Sequence, residues 1–243
     1  MFHALLSVLA ALVPGSAPAC PPFDGLDPKA NMKAALDWYA GATASRSIEV
    51  ADCAWKHYEK SVQFRDAFKA EESTTNYRYG RFLLEAADLQ SRAAKRVKKM
   101  GGGTGVNYFR REVQIRTMLL GFCLRAEIAC DLHAQLGALA NAYEAARQAT
   151  ALHDWMVSNS PDSLAVGAAL DIWLRAVASC PAWDFHPPVM ESLYDWKQAC
   201  TPGCREVARD ASRVLREHGV RVSSLKSQVA AMTSAVERCP KAK

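Results

Sequence analysis

Apolar residues recur at three- and four-residue spacing through nearly every segment of this chain between turn signals, and no segment reads convincingly as a strand. Alanine, the strongest helix former, makes up about one residue in six. Together these features restrict the chain to helices packed on helices. The sequence predicts an all-α protein, either an irregular multi-helix bundle or a short stack of α-hairpins. A length of 243 residues is enough for a well-buried core, and 50% hydrophobic with 23% charged residues excludes a chain that is mainly disordered. Beyond the N-terminus no apolar run reaches the roughly 18 residues of a spanning helix, which excludes a multispanning membrane protein.

The helix boundaries follow from punctuation. Asp27 followed by Pro28 marks a first helix that runs through Met32, Leu36 and Tyr39 to about Gly41. A second starts near Ser47 and carries Val50, Ala54, Tyr58 and Val62 towards Ala70, and a third is marked by Tyr77, Phe82, Leu83, Ala86 and Leu89. Gly101-Gly102-Gly103-Thr104-Gly105 is the strongest break in the chain, read as a linker or hinge over 101–106 between an N-terminal helical region, 20–100, and a C-terminal helical bundle, 107–243. After it a helical pattern runs from Tyr108 through Cys123 and Cys130 to Val157, with a turn expected near Asp131 to Gln135. Pro161 opens a helix that ends at Cys180-Pro181, Pro188 opens a shorter one, and two final helices flank Gly219. Leu136-Gly137 with Tyr143 and Ala146 echoes part of the tetratricopeptide pattern, but no second copy recurs at a fixed period.

Residues 1–19 read as a signal peptide. The uncharged apolar stretch Ala4 to Val13 is followed by Pro14, Gly15 and the small-x-small step Ala17-Pro18-Ala19, which places the mature N-terminus at Cys20. The expected location is the periplasm or the medium. A cysteine directly after the cut resembles the lipidation site of bacterial lipoproteins, and that resemblance implies a second reading in which Cys20 anchors the protein to a membrane. The cysteines number eight, an even set that suits disulfides in an oxidising compartment. Cys123 and Cys130, seven residues apart on one expected helix, would be separated by about 10 Å of rise and could not bond to each other. The pairings expected are Cys204 to Cys239 across an antiparallel hairpin, Cys20 to Cys53 as a staple for the N-terminal arm, and Cys130 to Cys180 between helix ends.

Charge is uneven along the chain. From Arg78 to Arg116 ten cations face three acids, against a net charge of +5 for the whole sequence. Lys95, Arg96, Lys98 and Lys99 at one helix end, with Arg110 and Arg111 beyond the glycines, are candidates for binding a polyanion such as a phosphorylated envelope polymer. The same cations at a helix C-terminus also complement the carbonyl end of its dipole. A second candidate is the stiff loop around Trp183, Phe185 and His186, where two aromatic rings and an imidazole between prolines suit the grip of a partner.

Motifs for chemistry are few. The glycine run lacks the Lys-Ser/Thr ending of a phosphate-binding loop, there is no Gly-x-Ser-x-Gly, and neither His-Glu-x-x-His nor Cys-x-x-Cys occurs, so no metal or cofactor is expected. Cys200-x-x-x-Cys204 with His218 has metal-ligand types, but export favours disulfides there. Glu71-Glu72-Ser73 resembles the Glu-Ser step of lytic transglycosylases, a resemblance that implies a cell-wall hydrolase with Glu71 or Glu72 as its acid. The reading that remains is an exported envelope protein that binds a protein partner or an anionic envelope polymer without catalytic chemistry. Nucleic acid is not an expected partner, and a cell-wall hydrolase or an immunity or inhibitor protein against an exported toxin is the alternative.

Overall fold

The computed structural model describes residues 19–24, 27–41, 46–63, 73–103, 105–124, 131–146, 161–179, 201–217, 229–230, 233–234 and 236–239. Among them the structure is a multi-helix bundle without strands. Its long helices are α1 (Pro28–Ala40), α2 (Ser47–Gln63), α3 (Ser73–Lys99), α4 (Val106–Leu124), α5 (Leu132–Ala146), α6 (Pro161–Ser179) and α7 (Pro202–Glu217).

Local chemistry sets these boundaries. In α1 the carboxylate of Asp27 accepts from the Ala30 N–H at 3.0 Å with Pro28 at the first helical position, and Gly41 closes the other end by donating to Asp37 O. Asp131 and Thr201 do the same for α5 and α7, accepting from Ala134 N at 3.0 Å and Cys204 N at 3.1 Å. Thr201 also donates to Ser179 O at 2.6 Å, so one hydroxyl joins the end of α6 to the start of α7. The third helix is described from Ser73 and α4 as far as Leu124, and Cys130, expected on one helix with Cys123, lies outside the described residues.

Helix α4 is the axis of the bundle. From Glu112 to Leu124 every residue except Gln114 is buried, and α4 packs on α3, α5 and α6. Around it α2 packs on α3, α1 closes over both, and α7 packs on α6. The core is one continuous cluster from Phe23 to Val229. Phe82 is its aromatic centre, with the rings of Phe23, Tyr39 and Tyr79 at 5.9, 6.3 and 6.1 Å. Because Phe23 is buried there, the N-terminal arm is pinned to the bundle, and Cys20 is joined to Cys53 on α2.

Gly101 and Gly102 cap the end of α3. Gly101 takes φ +69°, its N–H donates to Lys98 O, and the Gly102 N–H donates to Val97 O, the paired bonds of a Schellman cap on α3. Gly105, at φ +68°, lets α4 begin so close to α3 that an added Cβ would lie 2.6 Å from Ala94 O. Among the described helices, the two on either side of the run make the most extensive pair.

Candidate functional site

The last turns of α3 carry a basic ridge. Lys95, Lys98 and Lys99 are exposed and Arg96 is half-buried, and no ion pair or side-chain hydrogen bond engages any of the four among the described residues. The carbonyls of Val97 and Lys98 are already bonded by the glycine cap, so these cations are not needed to satisfy them. Met100, 65% exposed, adds an apolar tip to the ridge.

Across the turn the two arginines differ. Arg110 is half-buried and forms no ion pair among the described residues, whereas Arg111 is held inward. Its Nη1 donates to Asp52 Oδ1 at 2.6 Å, and its guanidinium stands 5.3 Å from the ring centres of both Trp55 and Tyr108. Arg111 therefore ties α4 to α2, and its charge is compensated within the protein. Arg116 lies deeper, with its side chain 5% exposed, bonded to Glu112 at 2.8 Å, Asp88 at 2.7 Å and Gln135 at 2.8 Å. Burial raises the Glu112 pKa, and the Arg116 guanidinium works against that rise.

A second constellation was not singled out by sequence reasoning. His57, on α2, is 2% exposed, and its Nε2 lies 2.7 Å from Pro21 O, 3.4 Å from Cys20 Sγ and 3.6 Å from Cys53 Sγ. The opposite ring nitrogen, Nδ1, lies 2.8 Å from Tyr39 Oη. Pro21 O can only accept, so Nε2 carries the proton, and Nδ1 accepts from the Tyr39 hydroxyl. Burial acts in the same sense on both groups. It lowers the His57 pKa from 6.5, against the bond to Pro21, and pushes Tyr39 well above 10.0, so the pair is a neutral imidazole beside a protonated phenol. The signal in the sequence was Cys53-x-x-x-His57, whose four-residue spacing puts both side chains on one helix face beside the cysteine that meets Cys20.

Other candidates are only partly placed. Cys123, Cys204 and Cys239 are all disulfide-bonded and buried, while Cys130 and Cys180 lie outside the described residues. Trp183, Phe185 and His186, like Glu71 and Glu72 and the whole of residues 1–18, also lie outside them. No described helix is long and apolar enough to cross a membrane. Comparison with known proteins finds no match: no family profile, no curated protein and no solved structure is similar to this chain.

Proposed function

We propose that this protein is an exported, disulfide-stabilised binding or scaffold protein of the cell envelope, without catalytic chemistry, and that the basic end of α3 meets an anionic envelope polymer or partner. One observation carries the reading: Lys95, Arg96, Lys98 and Lys99 stand together without counter-ions among the described residues, while Arg111 and Arg116 of the same basic stretch are compensated internally. Unpaired cations grouped on a rigid helix end raise the local potential without needing to break an existing ion pair on binding. The exposed Met100 gives that end an apolar contact of its own. Export is supported by the apolar Ala4 to Val13 stretch with its Ala-Pro-Ala step, and by the absence of free cysteines among the described residues.

Two measurements test the two halves of the proposal. For export, N-terminal mass analysis of natively expressed protein is expected to begin at Cys20, and an intact Met1 in soluble cytosol contradicts it. For binding, the oxidised protein is expected to bind vesicles rich in anionic lipid over neutral phosphatidylcholine vesicles, and to lose that preference as salt shortens the screening length from about 10 Å at 0.1 M to about 3 Å at 1 M. Equal binding to both vesicles, or binding indifferent to salt, removes the ridge from the reading.

A further inference from the structure

The ligand atoms of Cys20, Cys53 and His57 all lie within 4.8 Å of one another, on two segments the fold holds together independently of any ligand. Cys53 and His57 share one face of α2, and Cys20 is positioned by the arm whose Phe23 is buried against Phe82. Tetrahedral zinc, with bonds of about 2.0–2.1 Å to nitrogen and about 2.3 Å to sulfur, has nitrogen–sulfur edges of about 3.5 Å. The observed distances from His57 Nε2 to the two sulfurs, 3.4 and 3.6 Å, span that edge length. The sulfurs must part, to about 3.8 Å for a thiolate pair on one zinc, and Pro21 O, 2.7 Å from Nε2, must turn away so that the ion meets the nitrogen lone pair in its place. Cys20 is exposed, so it marks the side from which an ion and a fourth ligand enter, while Cys53 and His57 are buried.

We propose that reduction of Cys20–Cys53 converts this cluster into a three-ligand site for Zn2+, formed by the two thiolates and His57 Nε2. The disulfide is opened by a dithiol reductant, which gives up two electrons and two protons to yield Cys20 and Cys53 thiols and is itself oxidised to a disulfide. Zn2+ then displaces one proton from each thiol. The Nε2 proton of His57 leaves and Nδ1 takes one up, so the imidazole stays neutral and presents its Nε2 lone pair to the ion. Nδ1–H then donates to the Tyr39 hydroxyl, which turns from donor to acceptor, a role its oxygen can fill. A metal-bound histidine ordinarily has such an oxygen partner on its far nitrogen. Oxidised, the site holds the arm covalently; reduced and loaded, it holds the arm through the metal.

The test uses the full chain, opened by limited dithiol treatment, with the opened pair identified by differential alkylation and peptide mapping. Zn2+ is titrated against a chromophoric chelator. One equivalent is expected to bind to the wild type after, and not before, Cys20–Cys53 is reduced, and the affinity is expected to fall at least about 10-fold in His57→Gln. The Cys20→Ser, Cys53→Ser double variant, which leaves the other cysteines in place, is expected to bind no Zn2+ under the same treatment. If either variant fails to fold, Co2+ added to the reduced wild type decides: thiolate-to-cobalt absorption together with paramagnetically shifted His57 ring protons is expected. Zinc binding retained in the double variant, no uptake on reduction, or cobalt spectra without the His57 shift would each overturn the proposal.

Discussion

Tyr39 Oη stands 2.8 Å from His57 Nδ1 in the buried layer between α1 and α2, and this contact, with Pro21 O at 2.7 Å on the far side, fixes a neutral imidazole with its proton on Nε2. A pH dependence follows. The unfolded chain takes up a proton near pH 6.5, while the folded protein, with its His57 pKa lowered, resists until lower pH. The stability His57 contributes is therefore full above about pH 6.5 and is lost as the pH falls from there towards the lowered folded value, with a limiting slope of about 1.4 kcal/mol per pH unit. Urea unfolding of the oxidised protein between pH 8 and pH 5 measures it, and His57→Gln is expected to flatten that part of the curve. An unchanged slope in the variant would assign the dependence to other groups.

Removing the hydroxyl in Tyr39→Phe leaves Nδ1 buried with no donor. The expected cost is about 1–3 kcal/mol, as for a buried polar atom that loses its partner. Urea midpoints of the two oxidised proteins measure the difference, and a neutral result would mean that water reaches the ring.

Arg116 is the second buried polar centre. Because Glu112 has a side chain only 4% exposed, Arg116→Ala leaves a carboxylate buried without its cation, for an expected loss of about 3–5 kcal/mol. The double substitution Arg116→Met with Glu112→Gln removes both charges and is expected to recover much of that loss. A double variant no more stable than Arg116→Ala would show that shape, and not charge compensation, governs this position.

The turn between α3 and α4 separates backbone conformation from space. Gly105→Ala meets both a positive φ and the Ala94 backbone, so it is expected to cost more than about 2 kcal/mol. Gly102→Ala meets only ordinary contacts with Val97 at 3.6 and 3.7 Å and has no positive φ, so its effect is expected to be small. Thermal unfolding of the two variants ranks them, and equal stability would contradict the close approach of α4 to α3.

How much of this was legible in the sequence depends on the range of the interaction. The start of α1 was readable because Asp27 and Pro28 act within one turn, and the bounds of α6 and the all-helical class followed from prolines and periodicity. The basic ridge was legible as a charge run, but the difference between Lys98 and Arg111 was not. That difference is made by Asp52, 59 residues away from Arg111 in the chain. His57 is not marked out in the sequence because its partners Pro21 and Tyr39 come from the arm and α1, and only packing brings them to one ring.

The basic end of α3 is tested by the variant with Lys95, Arg96, Lys98 and Lys99 all changed to Gln, compared with the wild type for binding to anionic vesicles at low salt. Exposed charges at a helix end contribute only about 0.3–1 kcal/mol each to the fold, so unfolding of the variant is expected to stay close to that of the wild type. Binding is expected to fall at least about tenfold and to lose most of its salt dependence. Unchanged, salt-sensitive binding in a folded variant would contradict the claim that the end of α3 is the surface this protein uses.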